Sequence, residues 1–280
     1  MIQSASAPMS TLAPGARRLA AGLLACLGPA TAMAFAAAPG SFVAALGGIY
    51  NARGDAMEPE LVLQSTTTAQ AGSFGSLPAA QGTVRASFGS VGFDMQGIGG
   101  IDREVDGGSL WADGWTVGGG TGAGTLTVSS TIHGSISGQA KAVFALYASS
   151  QPFDFDTVIA AVSAARGFWQ VAIPHATRLQ FTGVVTGCGM PGAFRECGHL
   201  PFENTPGVFS STLTSQVGFQ YGEPVYLVSL FAGGVGISGG AASFLHSAEF
   251  GISAPASATV SALSGVQYPA AVPEPASWLL

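Results

Sequence analysis

The chain has 280 residues, of which only 9% are charged and 41 are glycine. Nine basic residues beside 15 acidic ones give a formal charge of −6, which excludes a nucleic-acid partner, because contact with a phosphate backbone requires clustered Lys and Arg. So much glycine also argues against a helical bundle, since glycine weakens helix interiors.

The N-terminal region has the three parts of a secretory signal peptide. Arg17-Arg18 precede a mostly apolar run, 19–38, which contains the small-residue triplets Ala32-Met33-Ala34 and Ala34-Phe35-Ala36. We therefore predict a signal peptide over residues 1–36. A transmembrane anchor, or a lipoprotein signal with Cys26 as the lipidated residue, are the alternatives. Without the signal, seven basic residues remain beside 15 acidic ones, a formal charge of −8.

Residues 37–268 are predicted to form a β domain, because short apolar or alternating runs bounded by Gly, Pro and Ser are typical of strands. The run 211–232 predicts a hairpin with its turn at 222–224, and the Gly/Ser/Ala-rich stretch 69–80 predicts a loop. This pattern favours an antiparallel β-sandwich, jelly-roll-like, with at most one short helix. The other predicted strands are 41–46, 61–68, 83–88, 92–96, 110–117, 124–138, 140–147, 169–174, 179–185 and 258–268.

One segment, 156–166, favours a helix. Asp156 is a candidate N-cap and Gly167 a candidate residue just past the helix end. Val158, Ile159 and Val162 fall on one face, so we expect a short helix on a β scaffold.

Four acidic residues, Asp102, Glu104, Asp106 and Asp113, imitate the spacing of a calcium-binding loop. The flanking sequence gives no helix signal, and the last position holds Asp where a longer Glu is usual. A solvated acidic loop is therefore the preferred interpretation, and calcium binding the weaker one.

Two cysteines follow the predicted signal peptide, Cys188 and Cys197. Such a pair across a short loop of an exported protein predicts a disulfide. A metal site that also includes His199 is the alternative, but it lacks an obvious fourth ligand.

No catalytic residue and no cofactor are predicted, and the sequence contains neither an H-E-x-x-H zinc-protease motif nor a phosphate-binding P-loop. Asp154 and Asp156 could be paired carboxylates for glycoside hydrolysis, but a turn and a helix cap are the preferred interpretation. Trp111, Trp115 and Trp169 could form a sugar-stacking platform, but packing in a sandwich core is the preferred interpretation.

The C-terminal segment reads Val272-Pro273-Glu274-Pro275 and ends in Trp278-Leu279-Leu280. The two prolines predict an extended segment open to an enzyme. The segment resembles the sorting signal of the PEP-CTERM family, in which this motif precedes one transmembrane helix and an Arg-rich end. Because a membrane span needs about 20 apolar residues, we expect the signal to be truncated here, with 269–280 forming a linker and its first residues.

The body of the chain also resembles the ectodomains of that family. The shared features are a Trp-x-Asp segment, a strand ending in His-Gly-Ser, an aromatic residue with Gly and Pro before a long strand, and a closing Ser-Gly-x-x-Tyr, found here at 111–113, 133–135, 221–224 and 264–268.

The resemblance implies a non-enzymatic protein exported across the inner membrane of a Gram-negative bacterium to the cell surface or extracellular matrix. It implies exosortase as the processing partner, transient contact with the inner membrane through the missing helix, and association with exopolysaccharide and biofilm. An extracellular polysaccharide is a possible partner. The alternative is a secreted carbohydrate-binding β-sandwich module.

Overall fold

The structure is a computed structural model that describes residues 40–51, 55–76, 79–100, 102–165, 168–190, 194, 197, 206–245 and 248–271. The predicted signal peptide and the motif at 272–275 lie outside these residues. The described residues contain one α-helix, α1 (Phe155–Ala164), and one 3₁₀ turn, Phe168–Gln170. The strands are β1 (Phe42–Tyr50), β2 (Leu61–Ser65), β3 (Gln70–Ser76), β4 (Ala80–Ser87), β5 (Ser90–Gly97), β6 (Glu104–Gly118), β7 (Ala123–Ser149), β8 (Ala176–Val185), β9 (Gly207–Gln220), β10 (Pro224–Ser243), β11 (Ala248–Ser253) and β12 (Thr259–Ala262).

The twelve strands form one antiparallel sheet, ordered β2-β1-β6-β10-β7-β11-β5-β4-β3, with β8 and β9 on β7 and β12 on β6. Two long strands carry the sheet from one layer to the other. The first half of β7 pairs with β9 and β11, and its second half pairs with β8 and β10. Strand β10 pairs with β6 up to Val235 and with β5 from Gly240 onward. The sheet therefore folds over itself.

Glycines permit this fold-over and the close approach of the two layers. The register of β10 on β7 shifts between Val235 and Gly240, where Gly138 and Gly239 have positive φ of 63° and 77°. Between the layers, the ring of Phe74 lies where side chains of Gly47 and Gly82 would be, since a Cβ on either would come within 2.3 Å of it. Within the described residues, the prediction of an antiparallel all-β sandwich with at most one short helix is confirmed.

Two apolar cores result. The main core lies between the layers and includes Trp111, Trp115, Phe231 and Phe250. A second core lies on the outer face of the layer formed by β1, β6, β7 and β10. There α1 and the segment after it cover alternate residues of these strands, such as Ala112.

The predicted helix is present, but its cap is not Asp156. Asp154 is the N-cap, and its Oδ2 accepts hydrogen bonds from the Thr157 backbone N–H at 2.9 Å and from Thr157 Oγ1 at 3.0 Å. The helix buries Val158, Ile159 and Val162 as predicted. Asp154, one of the two candidate acids for glycoside hydrolysis, therefore begins a helix.

Several strand predictions need correction. The segment 211–232 is not a hairpin, because β9 and β10 flank its turn but pair with β7 over different halves of that strand. The predicted loop 69–80 contains β3, and the predicted strand 169–174 lies in the 3₁₀ turn and the irregular chain after it. The two runs 124–138 and 140–147 are one strand, β7.

Candidate functional site

The buried carboxylate of Asp113 fastens the C-terminal segment of the domain to the main core. Asp113 lies on β6 and is 0% exposed. Its Oδ1 accepts the backbone N–H of Gly114 at 2.9 Å and of Ser264 at 3.1 Å, and its Oδ2 accepts the hydroxyls of Ser264 and Tyr268, the latter at 2.7 Å. We call Asp113, Ser264 and Tyr268 the C-terminal anchor.

Alternation along β6 explains why these groups meet. Trp111, Asp113 and Trp115 are two residues apart, so their side chains share the inward face of the strand. A charge on that face must be hydrogen-bonded, and its partners come from residues 151 and 155 positions further along the chain. Strand β12 brings them there by pairing with β6 next to Trp115.

Aromatic rings enclose the anchor. The Tyr268 ring centroid lies 5.1 Å from that of Trp115, 6.0 Å from Trp111 and 5.6 Å from Phe250. Burial, followed by the neighbouring Asp113 carboxylate, raises the pKa of Tyr268 well above its ordinary value. Tyr268 therefore stays a neutral donor to a charged acceptor.

The anchor leads directly to the sequence motif at the C-terminal end. After Tyr268, the Pro269 carbonyl accepts the Ile252 N–H at 2.9 Å, and the Ala271 N–H donates to Ser253 Oγ at 2.9 Å. Residues 269–271 thus follow the end of β11, with Pro269 and Ala270 exposed. Val272, Pro273, Glu274 and Pro275 come next and lie outside the described residues.

The sugar-stacking platform is wrong for two of its three tryptophans. Trp111 and Trp115 are both 0% exposed, and their rings pack edge to face at 5.9 Å. Their indole N–H groups have no hydrogen-bond partner among the described residues. The third, Trp169, belongs to the 3₁₀ turn, and its side chain lies outside the described part of the chain.

The acidic residues at 102–113 form neither a calcium loop nor a solvated loop. Glu104, Asp106 and Asp113 are buried within β6, and only Asp102 precedes the strand. Asp113 also lies on the opposite face of β6 from the other two, because residues an odd number apart alternate. Across the described residues, no three His, Cys, Asp or Glu side chains come together to hold a metal ion.

Cys188 and Cys197 form a disulfide, as predicted. Disulfides are typical of proteins that mature in an oxidising compartment outside the cytoplasm. His199, the proposed third metal ligand, lies outside the described residues. No helix among the described residues is long and apolar enough to cross a membrane.

A groove that the sequence did not indicate is lined by the start of β8, the end of β9, the start of β10 and both ends of β7. It has a volume of about 580 Å³. The polar residues of its lining come from separate segments of the chain, so no local sequence pattern could predict the groove. They include His175, Thr177, Gln216, Gln220 and Glu223.

Comparisons with known proteins leave the family unassigned. No protein-family model and no curated protein matches the chain. A crystal structure of the enzymatically active domain of bacteriophage CBA120 tailspike protein 4 aligns with 66% of this chain and 19% of its own length, at 9% identity and a TM-score of 0.23. Similarity this low carries no argument about fold or activity.

Proposed function

We propose that this chain is an exported, non-enzymatic protein of the bacterial cell surface or extracellular matrix, sorted by exosortase through the motif at Val272–Pro275. The family resemblance of that motif implies a Gram-negative host and an association with exopolysaccharide and biofilm. In this proposal the motif directs sorting, and the folded domain is the part that is delivered.

The C-terminal anchor is the observation that carries the proposal. A sorting signal must emerge from its folded domain and stay firmly attached to it while the processing enzyme acts. Tyr268 is hydrogen-bonded to a fully buried carboxylate, and the motif begins four residues later. Pro269 and Ala270, between them, are exposed, which supports a chain that leaves the domain at this point.

The roles of the acidic side chains support a non-enzymatic domain. Asp154 caps α1, Asp113 holds the C-terminal segment, and Asp106 pairs with Lys141. Three of the six acids that the sequence offered for chemistry therefore have structural partners. The Cys188–Cys197 disulfide supports export.

The experiment is to follow the protein in its own host. An epitope tag inserted after Thr121, in the exposed turn 119–122, reports where the protein accumulates. We expect the wild type at the surface or in the matrix, and the Pro273→Ala/Pro275→Ala variant held in the membrane fraction. Pro269→Ala is the matched control and should behave as the wild type. Equal surface amounts for all three would contradict the proposal.

Polysaccharide binding is a second candidate function, and the groove beside β9 is the surface that we propose for it. The groove presents amide, imidazole and carboxylate groups, which suit hydroxyl-rich ligands. Loss of two side-chain contacts at about 1 kcal/mol each should weaken retention on host exopolysaccharide roughly thirtyfold. We expect this for Gln216→Ala/Gln220→Ala but not for Gln96→Ala, an exposed glutamine of β5. Passage of the wild type through the column would dismiss the candidate.

A further inference from the structure

The single lysine of the chain, Lys141, is buried beside the carboxylate of Asp106. Lys141 lies on β7 and is 8% exposed, while Asp106 and Glu104 on β6 are 6% and 3% exposed. The Lys141 Nζ lies 3.6 Å from Asp106 Oδ1. Its other side faces Phe194 of the disulfide loop, with Nζ 4.6 Å from the ring centroid. A long, flexible cation is thus held in one place.

Gly234 lets these two side chains meet across an intervening strand. Both Lys141 and Asp106 are in register with Gly234 of β10, and strands two apart are separated by about 10 Å. A Cβ on Gly234 would lie 2.2 Å from Asp106 Oδ1 and 3.1 Å from Lys141 Cε. Any other residue at 234 would occupy the space where the amine approaches the carboxyl group.

Glu104 supplies a second acid to the same side of the sheet. It precedes Asp106 by two residues, so the two side chains share a face, with Cα atoms about 7 Å apart. Burial disfavours the charged form of a carboxylate, which favours transfer of a proton to these acids from the ammonium. An apolar cavity of about 60 Å³ adjoins Asp106, with Leu110 and Leu230 among its walls.

We propose that Lys141 and Asp106 join in an intramolecular isopeptide bond, with Glu104 as the proton carrier. A proton passes from the Lys141 ammonium to the carboxylates, which leaves a neutral amine and a protonated Asp106. The amine nitrogen attacks Asp106 Cγ, and the N–C bond forms. The Cγ–OH bond then breaks, and the hydroxyl leaves with the proton from nitrogen as one water. No oxidant, reductant or other reactant is consumed.

Burial favours this condensation in two ways. The fold holds the amine and the acid at a high effective concentration and limits the access of water that would reverse the reaction. The product amide is also neutral, so the reaction removes a buried ion pair. The bond would cross-link β6 to β7 over β10, on the same strand β6 that holds the C-terminal anchor.

Trypsin digestion of the denatured, reduced full chain tests the bond. Trypsin does not cut at a lysine whose amine is in an amide, so the linked protein yields one peptide, 104–166, lighter than its sequence by one water. A free Lys141 yields 104–141 and 142–166. We expect the single peptide, with fragment ions that join residues 106 and 141. The two separate peptides from a folded wild type would overturn the proposal in favour of an ordinary ion pair.

Two variants separate the cross-link from other causes of water loss. The Asp106-Gly107 sequence can also lose water by closing to a succinimide. That ring needs no lysine, so it persists in Lys141→Arg, whereas the isopeptide is absent there. Glu104→Gln should fold, as judged by near-ultraviolet circular dichroism, yet show at least a tenfold smaller linked fraction. Complete linkage in folded Glu104→Gln would remove Glu104 from the mechanism.

Discussion

At the residue scale, one buried carboxylate, that of Asp113, holds the C-terminal segment on the domain. Asp113 has four donors within hydrogen-bond reach, and three of them belong to Ser264 and Tyr268. The sequence pointed to Trp-x-Asp and Ser-Gly-x-x-Tyr as separate features. It could not show that they meet, because no local pattern reports a contact between residues 155 positions apart.

The Tyr268 hydroxyl is predicted to stabilise the fold through Asp113. Tyr268→Phe leaves the ring in place but removes a donor to a buried charge, which costs about 1.5–3 kcal/mol of the free energy of unfolding. Tyr221→Phe is the matched control, because the Tyr221 side chain packs on Phe219 and its hydroxyl has no hydrogen bond to a described residue. Urea unfolding measures both variants. An equal loss of unfolding free energy in the two variants would show that the hydrogen bond to Asp113 does not stabilise the fold.

Alkaline pH should reveal the same contact. The raised pKa keeps Tyr268 neutral in the folded state, whereas a tyrosine in the unfolded chain ionises near pH 10. Its contribution to stability is therefore complete below about pH 10 and falls above it by about 1.4 kcal/mol per pH unit. Tyr268→Phe should lack this part of the slope. Parallel stability curves for the two proteins above pH 10 would contradict the assignment.

At the element scale, local signals were predictable and partner choice was not. The runs 83–88 and 92–96 predicted two strands, and β4 and β5 form there and pair with each other. Strand β3 was missed because its Gln, Ala, Gly and Ser residues resemble a loop. The β9–β10 hairpin was wrong because the partner of both strands is β7, and periodicity does not identify partners. The sequence divided β7 into the runs 124–138 and 140–147, whereas the structure has one strand there, in which Gly138 has a positive φ.

The two layers are so close at Phe74 that one added methyl group, on Gly47, should destabilise the fold. A Cβ on Gly47 would lie 2.0 Å from the Phe74 ring, so Gly47→Ala must displace a buried ring or separate the layers, at about 1–3 kcal/mol. Gly218→Ala on β9 meets nothing within 4 Å and should change stability by less than about 1 kcal/mol. Thermal unfolding compares them. A Gly47→Ala protein as stable as Gly218→Ala would contradict the described packing.

The disulfide should stabilise the loop that covers Lys141. Closing so short a loop contributes about 2.7 kcal/mol by the chain-entropy relation. Cys188→Ser/Cys197→Ser should lose about this amount of the free energy of unfolding. Chemical denaturation measures the loss. An unchanged midpoint would show that the loop is held by other contacts.

At the scale of the whole molecule, β6 makes three kinds of long-range contact. The strand holds the C-terminal segment through Asp113, contacts β7 through Asp106 and Lys141, and pairs with β1, β10 and β12. A protein that carries a sorting signal at its C-terminal end would transmit force from that end into the centre of the sheet. Composition could predict a polar β domain, but this arrangement depends on contacts far apart in sequence.

The most direct test of sorting is the intact mass of the protein recovered from its own cells, with and without exosortase. In producing cells we expect an N-terminus near Ala37 and a C-terminus cut at or next to Val272–Pro275. In cells without exosortase, the N-terminus should be the same and the C-terminal segment uncut. An identical C-terminus in both strains would contradict sorting by exosortase and leave a secreted β-sandwich, with polysaccharide binding as its candidate function.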